Sequence, residues 1–313
     1  MINLKGKKIL VTGAYGFLGR QIVANLLKNR QVPQKNLFIP TSKELDLTVF
    51  RNCQKAVSGM QIVIHLAGVV GGIGANAKRP GEFFYKNAVM GIQLMEAAHL
   101  SGVEKFVALG TICCYPKFTK TPFKEKDLWS GYPEETNAPY GLAKKMLLVQ
   151  SQAYRRQYGF NSIFLMPVNM YGPGDNFDPK SSHVIPALIL KIHEAIIERR
   201  KFVEVWGSGK PTREFLHVED GAEAILLATE RYNKSEPVNI GSGDEVSIKN
   251  LVDTIVSLMG YKGKINWDSS KPDGQPRRRL DITRAYKEFG FKAKIDFKKG
   301  LRDTIKWFRK NKQ

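Results

Sequence analysis

The chain has 313 residues, of which 42% are hydrophobic and 25% are charged, a composition typical of a globular protein with a large buried core. The net charge is +20, but no basic stretch is interleaved with aromatic residues, so we expect no specific nucleic-acid binding. Three cysteines without a disulfide framework favour a reducing compartment, and no apolar run is long enough for a signal peptide or a membrane span, so we expect a cytoplasmic protein.

The first half of the chain alternates strand patterns with helix patterns. Short apolar runs rich in β-branched residues predict strands in KKILVTG, NLFIP, QIVIHLAG, VEKFVALGT and NSIFLMPVN. The intervening segments carry apolar residues at helical spacing, most clearly at residues 83–100 and 140–158. This alternation predicts an α/β fold, a Rossmann-type doubly wound parallel sheet with helices on both faces.

After residue 170 the pattern changes to a loop, YGPGDNFDPKSS, followed by mixed elements. Helices are predicted in HVIPALILKIHEAIIERR, DGAEAILLATERY and SIKNLVDTIVSLMG, strands in VEVWGSGKPTREFLHVED and EPVNIGSG, and two small helices at the end. We predict a Rossmann domain at residues 1–170 plus about 214–258. A smaller C-terminal substrate-binding lobe, at about 171–213 plus 259–313, would then lie over the carboxyl edge of the sheet, where ligands of such folds bind.

Gly13, Gly16 and Gly19 form a GxxGxxG loop between the first predicted strand and the first predicted helix. Glycines permit a tight turn and let backbone amides approach a diphosphate at the helix N-terminus. Because the strand and the helix are both where the motif requires them, the loop predicts a dinucleotide site.

The segment after the second predicted strand indicates which dinucleotide binds. NAD-preferring sites commonly have an acidic residue about 20 residues beyond the glycines, but this chain has PTSK at residues 40–43. The hydroxyls and the cation, with Ser42 and Lys43 nearest the end, suit the 2′-phosphate of NADP better than a carboxylate would. We therefore predict NADP, with Asp46 and Leu47 beside the adenine.

Tyr140 and Lys144 stand four residues apart at the start of a long predicted helix, so they share one helix face. A phenol beside an ammonium has a depressed pKa and can exchange a proton with a carbonyl or alcohol oxygen. Thr111, at the end of the fourth predicted strand, can hydrogen-bond the same oxygen. On its own the YxxxK spacing is weak in a Lys-rich chain, because a solvated helix face has the same spacing.

The glycine loop together with Thr111, Tyr140 and Lys144 resembles the short-chain dehydrogenase/reductase family, in its extended branch that acts on nucleotide sugars. Over nearly the whole chain, further segments resemble the GDP-L-fucose synthase family: HLAGVVGGIGAN, LGTICCYP, NAPYGLAKK, MPVNMYGPGDNFDPKSSHVIPAL, VWGSGKPTREFLHVED and SKPDGQPRRRLDITR. The resemblance implies an NADP-dependent enzyme that inverts C3 and C5 of GDP-4-keto-6-deoxy-D-mannose and then reduces C4. It also implies a homodimer formed through the two long helices.

Cys113 and Cys114 are neighbours, and neighbouring cysteines do not bridge each other comfortably. The resemblance places the epimerisation thiol at Cys113 and its partner acid or base at His183, and we expect Cys114 to pack as a small apolar residue. A thiol and an imidazole both titrate close enough to neutrality for this work. The alternatives remain open that both cysteines are core thiols and that His183 is a solvated helix-start residue.

The resemblance also implies the binding residues. For the GDP-sugar they are Lys191, Trp206, Arg213 and Asp273, and the guanidinium of Arg213 suits a diphosphate because it makes bidentate contacts. No metal site is expected. The predicted cofactor set is Gly13, Tyr15, Gly16, Phe17, Leu18, Gly19, Ser42, Lys43, Asp46, Leu47, Leu66, Ala67, Asn87, Leu109, Gly110, Tyr140, Lys144, Pro167, Asn169, Met170 and His183.

Two departures from the family pattern keep alternatives open. Ile112 stands where the family often has a serine, which we expect to remove a polar group beside the sugar and to allow a different keto-sugar. Tyr15, Pro40 and Ser42 stand where the family often has arginines, which keeps NAD open beside NADP. The main rival function is a nucleotide-sugar epimerase or dehydratase with no net cofactor consumption, and a second rival is a non-catalytic basic binding protein on the same scaffold.

Overall fold

The computed structural model describes residues 1–271 and 273–312 and contains a central six-stranded sheet. The strands are β1 (Ile9–Thr12), β2 (Leu37–Phe38), β3 (Ile62–His65), β4 (Lys105–Leu109), β5 (Ser162–Pro167), β6 (Asn169–Tyr171), β7 (Phe202–Trp206), β8 (Thr212–Arg213), β9 (Phe215–His217), β10 (Val238–Ile240), β11 (Val246–Ser247), β12 (Lys264–Asp268) and β13 (Arg277–Arg278). The α-helices are α1 (Phe17–Lys28), α2 (Phe50–Val57), α3 (Ile73–Lys78), α4 (Pro80–Leu100), α5 (Ala138–Tyr158), α6 (Val184–Ile197), α7 (Val218–Arg231), α8 (Ile248–Met259), α9 (Thr283–Phe289) and α10 (Phe297–Asn311).

The central sheet has the strand order β2-β1-β3-β4-β5-β10, and all its neighbouring strands are parallel. The chain runs outward from β1 in both directions, to β2 on one side and to β3 on the other. Such a switch point leaves a crevice at the carboxyl ends of the strands, where open α/β sheets bind their ligands. The predicted Rossmann-type fold is confirmed.

Two layers of helices cover the sheet. α1 packs against α7, and α4 packs against both α2 and α5. The strands between these layers are buried on both faces, and every residue of β1, β3 and β4 is buried. This explains why their sequences are continuous apolar runs rather than alternating patterns.

A second, smaller apolar core lies in the C-terminal half, where α6, α8 and α10 pack around β7. β7 pairs in parallel with β12, a strand that the sequence patterns did not predict. α10 spans 15 residues, so the expectation of two small terminal helices was wrong for this element. The domain boundaries remain a prediction, and α8, assigned to the Rossmann domain, contributes its buried residues to this second core. In the described part of the chain, no helix has the length and apolarity to cross a membrane.

Candidate active site

The glycine loop forms a tight cradle at the carboxyl end of β1. Gly13 has a φ of +70°, and a Cβ there would lie 2.9 Å from the backbone nitrogen of Ala67. A Cβ on Gly19 would collide with the carbonyl oxygen of Gly13, so α1 approaches the loop closely only because this residue is glycine. Gly16 caps α1, and the free N–H groups of the first turn are those that bind a diphosphate.

A buried polar pair, not singled out from the sequence, joins the ends of the two strands at the switch point. Thr12 Oγ1 lies 2.8 Å from His65 Nδ1 and accepts hydrogen bonds from the N–H groups of Leu66 (3.2 Å) and Ala67 (3.1 Å). Burial lowers the pKa of His65 to about 3, so its imidazole is neutral at physiological pH. The pair fixes the loop that follows β3 beside the glycine loop.

The glycine loop carries one cation that the sequence patterns missed. Arg20 Nε donates a hydrogen bond to the carbonyl oxygen of Tyr15 at 2.9 Å, so a guanidinium does lie at the glycine loop. The side chains of Ser42 and Lys43 are exposed. Thr41 is less available, because its hydroxyl donates to Glu44 Oε2 at 2.8 Å.

The remaining predicted cofactor residues differ in how accessible they are. Asp46 is exposed, and its hydrogen bonds from the N–H and hydroxyl of Thr48 lower the pKa of its carboxyl. Leu47 packs into the main core, so only its backbone remains to contact the adenine. Asn87 holds the loop after β3 by accepting from Val69 N at 3.1 Å. The other members lie in the first turn of α1 or at the carboxyl ends of the sheet strands and in β6: Phe17, Leu18, Leu66, Ala67, Leu109, Gly110, Pro167, Asn169 and Met170.

Tyr140 and Lys144 lie in the first two turns of α5, where the side chain of Lys144 is buried and that of Tyr140 is partly exposed. A Cβ on Gly68 would lie 3.3 Å from Lys144 Nζ, so the ammonium reaches the loop after β3. Burial lowers the pKa of Lys144 to about 8. Burial, together with the nearby thiols of Cys113 and Cys114, raises the pKa of Tyr140. The expected depression of the tyrosine pKa was therefore wrong, because burial and the two thiols favour the neutral phenol.

Thr111 begins the short 3₁₀ turn that carries the two cysteines. Its Oγ1 accepts a hydrogen bond from Cys113 N at 3.3 Å, which leaves the hydroxyl hydrogen free to point at a ligand. The turn packs directly on the first turn of α5, where a Cβ on Gly141 would collide with the carbonyl oxygen of Cys113. This close approach brings Cys113 next to Tyr140.

The three residues of this turn face different surroundings. Cys113 is partly exposed, whereas Cys114 is fully buried and donates from Sγ to the carbonyl oxygen of Gly141 at 3.2 Å. Burial raises the pKa of the Cys114 thiol to about 12. Ile112 is 2% exposed and packs in the main core. The expectation that Ile112 lies beside the sugar was therefore wrong, and this residue gives no reason for a different keto-sugar.

His183 is the N-cap residue of α6 and is exposed in the open cleft. The backbone before it packs on the loop after β3, where Gly72 N donates to Ser181 O at 3.2 Å and a Cβ on Gly72 would lie 2.9 Å from Ser182 O. The surrounding walls partly desolvate the imidazole and lower its pKa. No hydrogen bond joins the side chains of His183 and Cys113 within residues 1–271 and 273–312.

The four predicted sugar-binding residues lie around β7 and the segments beside it. Asp273 accepts hydrogen bonds from the N–H (2.6 Å) and hydroxyl (2.7 Å) of Ser208, and Arg213 Nη2 lies 3.5 Å from the carbonyl oxygen of Asp273. Trp206, two residues before Ser208, is 65% exposed. Lys191 reaches β7 from α6 and donates to its backbone.

Two of the cations in this region lie close together. Burial, reinforced by the neighbouring guanidinium of Arg278, lowers the pKa of Arg213 to about 10. Arg278 Nη1 lies 3.9 Å from Cys113 Sγ, so it also contacts the cysteine turn. Arg278 was not among the predicted site residues, because the 165 positions that separate it from Cys113 leave no local pattern to detect.

The fold and the arrangement of Thr111, Tyr140 and Lys144 beside a glycine loop define an NAD(P)-dependent epimerase or reductase of the extended short-chain dehydrogenase/reductase type. In agreement, residues 9–241 match the NAD dependent epimerase/dehydratase family. The GDP-L-fucose synthase of Sinorhizobium fredii is 40% identical over 313 residues, covering 99% of this chain and 98% of the relative. The chain therefore belongs to the GDP-L-fucose synthase family.

Solved structures of proteins that are named as acting on GDP-sugars are also similar to this chain. A GDP-6-OMe-4-keto-L-xylo-heptose reductase from C. jejuni matches with a TM-score of 0.89 and 29% identity, over 99% of each chain. A GDP-L-fucose synthetase from Naegleria fowleri, solved bound to NADP, matches with a TM-score of 0.87 and 28% identity, over 98% of this chain and 95% of that one.

Proposed function

We propose that this protein is an NADP-dependent epimerase-reductase that converts GDP-4-keto-6-deoxy-D-mannose to GDP-L-fucose. The observation that carries the proposal is the partly exposed thiol of Cys113 on the turn that begins at Thr111 and packs on the helix start at Tyr140. Hydride transfer alone uses the Thr-Tyr-Lys set. A thiol at the same place adds a group that can remove a proton from a sugar carbon or return one to it, as epimerisation requires.

The epimerisation steps follow from the acidity of the sugar. A ketone at C4 acidifies the hydrogens on C3 and C5, so a base breaks the C–H bond and the electron pair moves to O4. Inversion requires a second group that returns a proton to the opposite face. We assign these two roles to Cys113 and His183. Thr111 and Tyr140 hold the developing negative charge on O4 by hydrogen bonding.

The reduction step uses the same oxygen. The glycine cradle at residues 13–19 would hold the diphosphate of NADPH, because the lack of a Cβ at Gly13 and Gly19 permits the tight turn that exposes backbone amides at the helix start. NADPH would supply the hydride that C4 accepts. Tyr140 donates its proton to O4, and its raised pKa keeps the phenol protonated at neutral pH. Lys144 follows Tyr140 by about one turn of α5, and we assign its ammonium to the nicotinamide ribose.

The choice of NADP over NAD is supported by three side chains. Arg20 at the glycine loop and Ser42 and Lys43 after β2 are exposed, and the two cations would attract a 2′-phosphate. We expect the double variant Arg20→Gln, Lys43→Gln to raise KM for NADPH by at least about tenfold while KM for NADH changes little, since the loss of even one charge-assisted contact costs about 1.5–3 kcal/mol. Steady-state kinetics with both cofactors measures this. An equal effect on the two cofactors would contradict the assignment.

The GDP moiety is assigned to the residues around β7. Arg213 offers a guanidinium to the diphosphate, with Lys191 as a second cation, while Trp206 presents an exposed ring and Asp273 an exposed carboxylate for the nucleoside. Asp273 and Arg213 belong to segments joined by the 3.5 Å contact described above.

The assembly and the location remain predictions. α4 and α5 pack side by side and expose apolar side chains that suit a homodimer: Phe84, Tyr85, Leu100, Met146, Val149 and Tyr158. Light scattering is expected to give twice the chain mass for the wild type and a smaller mass for Met146→Glu, and a wild-type monomer would contradict the dimer. The free thiols of all three cysteines agree with the cytoplasm.

Cofactor stoichiometry tests the proposal against its main rival. The purified protein is supplied with NADPH and each of a panel of 4-keto nucleotide sugars, including a GDP-linked keto-heptose, and the NADPH absorbance is followed. We expect one NADPH oxidised per molecule of GDP-4-keto-6-deoxy-D-mannose converted. Conversion without net oxidation would favour the epimerase or dehydratase, and faster oxidation with the heptose would replace the sugar assignment.

A further inference from the structure

The guanidinium of Arg278 lies against the sulfur of Cys113, with Nη1 to Sγ at 3.9 Å, and both side chains are partly buried. We propose that Arg278 is a positioning residue for epimerisation, which holds the Cys113 sulfur at the cleft and stabilises its thiolate form. This inference rests on the proposed function for its role in turnover. The contact between Arg278 and Cys113 involves only this chain and does not depend on that function.

The guanidinium is fixed by hydrogen bonds on its other side. Arg278 Nε donates to Gln275 Oε1 at 2.6 Å, and Gln275 Nε2 donates to the carbonyl oxygen of Lys117 at 2.5 Å. Lys117 lies just after the cysteine turn, so the buried amide of Gln275 ties the Arg278 segment to the segment that carries Cys113. The backbone of Arg278 is held as well, since its carbonyl oxygen accepts from Glu214 N at 3.0 Å.

The charge of Arg278 is available to the sulfur. Its neighbour Arg277 is paired with the carboxylate of Glu245, at 2.5 Å and 3.0 Å. Arg278 has no such carboxylate partner in residues 1–271 and 273–312. A cation beside a cysteine favours the thiolate, which is the reactive form of the residue.

Either direction of proton transfer at Cys113 benefits from this contact. If the sulfur removes a proton from the sugar, it begins the step as a thiolate and ends it as a thiol, while the electron pair goes to O4. If the sulfur instead delivers the proton, a C–H bond forms and the thiolate is left behind. In both cases the sulfur is negatively charged either before or after the proton transfer, and the Arg278 guanidinium then lies next to that charge.

Alkylation of Cys113 tests the contact without any substrate. The wild type and variants are treated with neutral iodoacetamide from pH 6 to 9, and the modified Cys113 peptide is quantified by mass spectrometry. The other two cysteines are fully buried and serve as internal references. We expect Arg278→Gln to slow alkylation at pH 7 by about tenfold, because an opposite charge within about 4–6 Å favours the reactive thiolate.

Control variants separate the charge from the fold. Arg278→Lys keeps a cation and is expected to recover most of the rate. Arg277→Gln removes the same charge one position away and is expected to stay within about twofold of the wild type, because exposed charges act weakly on groups they do not contact. Gln275→Met keeps the arginine but frees its guanidinium, and an intermediate rate is expected.

Equal alkylation profiles for the wild type and Arg278→Gln would overturn the proposal, as would equal slowing by Arg277→Gln. Because the assay contains neither sugar nor cofactor, its result does not depend on the proposed function. A protein that oxidises no NADPH but shows the Arg278 effect would overturn the function alone. A protein with the expected turnover and no Arg278 effect would overturn this inference alone.

Discussion

At the scale of single residues, one turn places the identical side chains of Cys113 and Cys114 in different environments. They follow Thr111 in a short 3₁₀ turn, where successive side chains point about 120° apart. Cys113 faces the cleft, and Cys114 faces the core, where burial raises the pKa of its thiol to about 12. A thiol that stays protonated at all physiological pH values is a packing group, so the reactive role falls to Cys113.

Serine variants of the two cysteines test this division. Cys113→Ser is expected to abolish solvent deuterium uptake at C3 and C5 of the sugar while NADPH binding is retained, because a hydroxyl ionises far less readily than a thiol. Cys114→Ser is expected to retain uptake and to lower stability by about 1 kcal/mol, since a buried hydroxyl is less favourable than a thiol. Mass spectrometry of the sugar and NADPH titration measure both. Identical behaviour of the two variants would contradict the assignment.

Sequence reasoning found the residues whose motifs are local and missed those whose partners are distant in the chain. The glycine loop and the Tyr140–Lys144 pair each lie within a few residues, so their spacing alone predicts their shared location. The contacts of His65 with Thr12 and of Arg278 with Cys113 span 53 and 165 positions, and no periodicity encodes them. The direction of the Tyr140 pKa was missed because burial is not visible in a motif.

At the scale of elements, β4 and α7 are joined by a buried lysine. Lys105 begins β4, is fully buried and donates from Nζ to the carbonyl oxygens of Ala228 (3.3 Å) and Tyr232, and to Asn233 Oδ1 (3.0 Å). These acceptors lie at or just after the end of α7, where the helix dipole favours a cation, and Ala228 O also accepts from Tyr232 N at 2.9 Å. The lysine therefore caps the helix from the sheet.

Removing this cap is expected to be costly. Lys105→Met preserves much of the side-chain volume but removes the donor to the carbonyl oxygen of Tyr232, while Ala228 O and Asn233 Oδ1 keep their bonds from Tyr232 N and Asn161 Nδ2. One buried acceptor left without a donor lowers the free energy of unfolding by about 1–3 kcal/mol. Lys7→Met removes a more exposed lysine that pairs with Glu104 and is the control, expected to change stability by less than about 1 kcal/mol. Urea unfolding followed by circular dichroism measures both. Equal effects of the two variants would refute the capping role.

Long elements with clear periodicity could be predicted from the sequence, whereas short paired strands could not. The strands of the main sheet and helices α4 and α5 appear close to their predicted positions, because apolar runs and helical spacing reflect local burial. β8, β11 and β13 have only two residues each and exist because they pair with one another. Their formation depends on tertiary contacts, which a single sequence does not show.

At the scale of the whole molecule, two apolar cores flank the cleft, and buried polar groups are found around it. Asp175, in the loop after β6, is one of them: its Oδ1 accepts from Asn176 N at 2.7 Å, and its Oδ2 is buried without a partner in the described chain. Burial raises the pKa of this carboxyl to about 7. The molecule therefore carries an ionisable group whose charge opposes folding at neutral pH.

The stability of the protein should reflect this group. The pKa of the Asp175 carboxyl is higher in the folded protein than its ordinary value. Its contribution to the free energy of unfolding is therefore fully present below about pH 4 and is lost as the pH rises towards 7. Asp175→Asn removes this loss, so its stability relative to the wild type should increase between pH 5 and 8 by about 2 kcal/mol. Asp178→Asn, at an exposed site in the same loop, is the control. Urea unfolding at both pH values checks this, and parallel curves for the wild type and Asp175→Asn would contradict it.

The central claim is that one cleft performs both proton exchange at carbon and hydride transfer to the same sugar. The most direct measurement is a reaction of the wild-type protein with GDP-4-keto-6-deoxy-D-mannose and NADPH in deuterium oxide, with the product examined by NMR. We expect GDP-L-fucose with deuterium at both C3 and C5 and the cofactor's hydrogen at C4. A C4-reduced product without deuterium at C3 and C5 would contradict it.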